Sequence, residues 1–89
     1  MDGLKVQKKD GRLEDFNRNK VYGGVMKSGA LPETAEGVTV QVEQWAKMSA
    51  VDGVVKTTDL RAKVLEFLRL KDADSATRYE QYKKQPPAA

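Results

Sequence analysis

The sequence predicts a small α+β domain in which an N-terminal β-hairpin and a short third strand cap a bundle of about four helices. Three observations predict it. Leu4 to Lys8 alternates apolar and polar residues and runs into Asp10-Gly11, a strong hairpin-turn signal. A second Asp-Gly pair, Asp52-Gly53, leads into the β-branched Val54-Val55. The remaining stretches carry apolar residues at helical spacing.

In chain order, Leu4 and Val6 give the first strand its buried face. Leu13 to Asp15 returns as the second strand, and Phe16 closes the apolar face of the hairpin. Asn17 is an N-cap residue for a helix from Arg18 to Ser28, with Val21, Tyr22, Val25 and Met26 on its apolar side and Gly29 at its end. Gly23-Gly24 inside this helix marks a close approach, read as helix–helix packing. Pro32 opens a second helix to Met48 with a stripe of Ala35, Val38, Val42 and Trp45. Val38 to Val42 also alternates like a strand, and Gly37 weakens a helix, but length and flanking pattern favour helix. Val54 to Lys56 is a third strand, and Thr57 or Thr58 caps a helix to Lys71 whose apolar face is Leu60, Val64, Phe67, Leu68 and Leu70. Asp72 to Ser75 breaks the chain before a last helix, Ser75 to Lys84, carrying Ala76, Tyr79 and Tyr82. The expected organisation is one domain over residues 1–85 and a tail or linker start over 86–89, where Pro86-Pro87 stands.

The composition removes several chemistries. The chain has no cysteine and no histidine, so disulfides, thiolate metal sites and a Ser-His-Asp triad cannot be built from it. No Walker A pattern is present, which argues against a small ATPase. No apolar run of roughly 18 residues predicts a membrane span, and a soluble cytoplasmic protein is expected. The net charge of +3 is uneven: residues 1–30 carry seven basic and four acidic groups, 31–50 one and three, and 51–89 eight and six. If the two basic ends meet in space they form one basic site; otherwise they are ordinary solvated surface.

The stretch from Val6 to Lys20 is the most specific part of the chain. It places Lys8, Lys9, Arg12, Arg18 and Lys20 around a turn and a helix start, an arrangement suited to a phosphate group. Val6, Lys8, Lys9, Asp10, Gly11, Arg12, Glu14, Phe16, Lys20 and Val21 follow, in order and spacing, the opening pattern of the ATP-cone family. Val55 to Leu60 resembles that family's strand-to-helix step, and Leu68 to Lys84, with Ala76, Arg78, Tyr79 and Tyr82, resembles its closing helix. The resemblance covers residues 4–84.

It implies a regulatory domain, not an enzyme, that binds ATP or dATP, with Mg2+ compatible with the triphosphate. Such domains stand beside the catalytic barrel of ribonucleotide reductases or the DNA-binding part of the repressor of their genes. The implied partners are therefore a catalytic or DNA-binding domain in the same or another chain, or a second copy, with no membrane. By the same resemblance Lys8, Lys9 and Lys20 face the triphosphate, with Arg61 and Lys83 or Lys84 completing the cluster. Val6 and Val21 clamp the adenine, Glu14 and Asn17 read its edge, and Thr57 touches the nucleotide from the strand-to-helix turn. Lys9 stands where the family often has Arg, which keeps the charge and loses the bidentate fork. Arg61 stands near a position where some members have His. Asp59 reads as a helix N-terminal charge rather than a metal ligand. The alternatives are a small basic nucleic-acid-binding domain, in which Trp45, Tyr79 and Tyr82 would stack on bases, and a protein-interaction domain.

Overall fold

The structure is a computed structural model; it describes residues 3–84, with side chains to residue 81. The tail at 86–89 and the side chains of Tyr82, Lys83 and Lys84 lie outside the described residues.

Strand β1 (Lys5–Gln7) and strand β2 (Leu13–Asp15) form the expected hairpin, with Val6 opposite Glu14. Helices α1 (Arg18–Lys27) and α2 (Pro32–Ser49) follow, then β3 (Val54–Lys56), α3 (Thr57–Lys71) and α4 (Ala73–Lys84). Strand β3 joins β1 in parallel, Val6 opposite Val55, so β1 is the centre of one mixed sheet ordered β2-β1-β3.

The two Asp-Gly pairs make different turns. Lys8 N–H donates to the Arg12 carbonyl and Gly11 N–H to the Lys8 carbonyl, and Gly11 alone takes a positive φ of 91°. This is a three-residue loop, Lys9-Asp10-Gly11, with the glycine as the bulge residue. At the second pair both Asp52 (φ 54°) and Gly53 (φ 76°) are left-handed, and Val51 and Val54 exchange backbone hydrogen bonds at 3.0 Å, the two-residue turn.

The sheet buries Val6 and Val55 against Ala46 of α2, with Trp45, Phe16 and Leu60 partly covered beside them. The larger core lies among the helices: Val25, Val38, Val42, Val64, Leu68 and Ala76 are buried, and Tyr79 with them. Phe16 and Leu60 touch both clusters and join sheet to helices.

Four expectations are corrected. Leu70 is 79% exposed and stands off the core, because α3 buries Val64 and Leu68 four residues apart and Leu70 points to another face. Neither Thr57 nor Thr58 caps α3. Lys56 is the N-cap residue, it makes no side-chain capping bond, and Thr57 is already helical. A Cβ on Gly23 would meet nothing within 4 Å, so that glycine marks no close packing. A close approach does fall at Gly37 of α2, where a Cβ would stand 3.2 Å from Cε of Lys71. Finally, α4 starts two residues early: Asp72 ends α3 and its carboxylate accepts from the Ser75 amide (3.1 Å) and hydroxyl (2.7 Å).

Candidate functional site

The hairpin and the two helix starts converge. The strand pairing sets Val6 and Glu14 side by side on the inner face of the sheet, at the mouth of a cleft of about 130 Å3. Its floor is apolar: Val6 and Val21, only 7% and 8% exposed, with Leu60 and Val64 of α3 and the ring of Tyr79 from α4. Its polar wall is Glu14 and Asn17, and its cations are Lys8, Lys20 and Arg61. Thr57 closes the end nearest β3. Glu14, Asn17, Lys20 and Arg61 thus come together from β2, α1 and α3.

Lys9 is placed elsewhere. It lines an adjoining cleft of about 270 Å3 with Lys8, Lys56, Thr57 and Thr58, and a further one of about 450 Å3 with Arg61 and Tyr79. Lys8 and Thr57 belong to both of the first two clefts, which makes them neighbours. The side chain of Lys83 lies outside the described residues.

The charges in the first cleft are partly compensated. The Glu14 carboxylate lies 3.5 Å from Nζ of Lys20, 3.9 Å from Nζ of Lys8 and 3.8 Å from Nη1 of Arg12. Arg12 is turned away to Asp10, its Nε donating to Oδ2 at 2.9 Å. Asn17 spends its Oδ1 on the helix cap, accepting from the Asn19 amide at 2.9 Å, and its Nδ2 hydrogens have no partner among the described residues. Burial pushes the Tyr79 phenol up to about 12, against a smaller opposing pull from the Arg61 cation. Tyr79 therefore offers the cleft a neutral ring, and at 5% exposure it has no free face for a stacked nucleic-acid base. Asp15, at the rim, is held below the usual carboxylate range by the hydrogen bond and charge of Lys5.

Sequence reasoning missed Leu60, Val64 and Tyr79 as cleft residues because their spacing already explained them as core; they are both core and floor. It also missed Lys56 and Thr58, whose neighbourhood depends on β3 pairing beside β1. The signal lay in the strand-to-helix step itself, where a basic residue precedes two threonines.

An apolar floor walled by cations and hydrogen-bonding groups, in a small α+β domain, has the make-up of a binding module and suits a ligand that joins an apolar part to negative charge. The sequence matches the ATP cone domain family over residues 4–86, and the chain belongs to that family, one of nucleotide-binding regulatory domains. An uncharacterized protein of Archaeoglobus fulgidus is 39% identical over 41 residues, a match covering 46% of this chain and 87% of that protein. No helix among the described residues is long and apolar enough to cross a membrane.

Proposed function

We propose that this chain is an allosteric sensor of adenine nucleotides, one domain over residues 1–85 that binds ATP or dATP and does no chemistry on it. The observation that carries the reading is the pairing of an apolar floor (Val6, Val21) with cations from the hairpin, α1 and α3 (Lys8, Lys20, Arg61) in one cleft. The base lies on the floor, with the Nδ2 hydrogens of Asn17 and the carboxylate of Glu14 at its edge. The phosphates lie toward Lys8, Lys20 and Lys9.

The first cleft alone is smaller than the ~300–1,000 Å3 typical of sites that enclose a whole ligand. The nucleotide therefore extends past Thr57 into the adjoining space. No group of three or more acidic side chains among the described residues is placed to hold a metal. Mg2+ in this reading arrives on the triphosphate's own oxygens. The output is a change in contact with a catalytic or DNA-binding domain in the same or another chain, or with a second copy, in the cytoplasm. A ligand can drive such a change only by binding one arrangement more tightly than the other.

Calorimetric titration with ATP and dATP in the presence of Mg2+ tests the reading. Saturable binding of either is expected; absence of heat from both up to millimolar concentration ends it.

A further inference from the structure

The two neighbouring clefts differ in how far their charge is already neutralised. In the first, Lys8 and Lys20 share the carboxylate of Glu14. In the second, Lys9 and Lys56 have no ion-pair partner among the described residues. The uncompensated positive charge thus sits beyond Thr57, away from the apolar floor.

The start of α3 opens into this second cleft. Its N-cap residue, Lys56, supplies no side-chain acceptor, so the first amides of a fifteen-residue helix lack a side-chain cap. The acidic residue of that first turn, Asp59, lines a groove on another side with Trp45 and Asp52. An independent feature points the same way. Thr57 is a polar residue only 6% exposed, its hydroxyl has no hydrogen-bond partner among the described residues, and it lines both clefts. No side-chain oxygen or nitrogen among the described residues is both sealed from solvent and unpaired, so this hydroxyl is open to the cleft. A hydroxyl that faces a cleft without a protein partner among the described residues can donate to an incoming acceptor.

We infer that the second cleft seats the terminal phosphoryl group of a nucleoside triphosphate, with Lys56 and Thr58 as further binding residues and the Thr57 hydroxyl donating at the junction. This rests on the adenine-nucleotide reading above and deepens it. The chain then distinguishes ligands by their number of phosphates: a diphosphate ends near Lys8 and Lys20, while only a triphosphate reaches Lys56 and the amides of α3.

Titration of the wild-type chain, Lys56→Ala and Thr57→Val with ATP and with ADP, each with Mg2+, tests this. Lys56 is exposed, so its replacement leaves the fold intact, checked by an unchanged melting curve. The wild type should prefer ATP. Lys56→Ala should lower ATP affinity by about fivefold or more, the loss of one charge-assisted contact, with ADP affinity within about twofold. Thr57→Val should lower both affinities, as a residue at the junction. An ATP-to-ADP ratio unchanged by Lys56→Ala overturns the inference while leaving nucleotide binding in place. Wild-type protein that binds neither nucleotide overturns the functional reading itself.

Discussion

The guanidinium of Arg78 on α4 donates from Nε to the main-chain carbonyl of Ser28, 2.6 Å away at the end of α1. Its Nη2 also donates to the Ser75 hydroxyl at 3.0 Å, which in turn donates to Asp72 at 2.7 Å. The planar group lies against Gly29, where a Cβ would stand 3.2 Å from Nε and Nη2. One side chain thus ties the last helix to the first. Arg78→Ala should cost about 1.5–3 kcal/mol, the range for a hydrogen bond to a charged group. Urea unfolding should show a lower midpoint at constant slope. Arg78→Lys should recover only part of it, because an ammonium cannot serve both acceptors in the fork geometry.

Asp72 makes stability pH-dependent. The Ser75 hydroxyl, and then the Ser75 amide, hold its carboxyl below the usual 3.8. A folded-state value below the unfolded one contributes stability that is present in full above the unfolded pKa and is lost as pH falls through the folded one. Asp10 and Asp15 are depressed as well, by Arg12 and by Lys5, and share that window. The difference between wild type and Asp72→Asn should therefore be constant near neutrality and shrink as the pH falls below about 5 and on through the lowered folded-state value. A difference that persists unchanged into acid would show that Asp72 acts without its charge.

Glu14 holds the cations that an incoming phosphate would need. Its carboxylate already occupies Lys20 and Lys8, so an anion entering the first cleft must displace it. Glu14→Gln keeps the shape and removes the competing charge. Tripolyphosphate should bind this variant about threefold or more tightly than wild type, by the removal of a modest partly exposed ion pair. Equal or weaker binding would show that the carboxylate orders the lysines rather than competing for them.

Lys20→Ala and Lys9→Ala should each weaken triphosphate binding by about tenfold, or ~1.4 kcal/mol. They line different clefts, so the two losses should add when combined. Unchanged affinity in both variants would place the site elsewhere on the surface.

What could be read from the sequence was what local chemistry decides. Asn17 caps α1, Pro32 opens α2 and Gly29 follows α1, because each of these residues answers a need of its immediate backbone. The strand-like run Val38 to Val42 folded as helix since it sits within eighteen residues that bury Ala35, Val38, Val42 and Ala46 on one side. Leu70 could not be placed, because periodicity does not say how wide the buried stripe of α3 is. Lys56 could not be placed either. Its position beside Lys8 and Lys9 exists only because β3 pairs in parallel with β1, a contact between distant segments that no local pattern encodes. Lys8, Lys9 and Thr57 were nameable through the family's motif, whereas Lys56 and Thr58 beside them needed coordinates.

The central place of β1 in the sheet also sets the order in which the molecule can be completed. Val6 waits for Val55, with α1 and α2 between them in the chain, so this pairing must meet its loop-closure cost before any contact repays it. A growing polypeptide can form the hairpin and the first two helices early. It has no second wall for Lys8 until β3 and the start of α3 emerge. Capacity for ligand therefore arrives with these long-range steps and the later docking of α4, and a nucleotide that binds only the finished form would raise the melting temperature with its concentration.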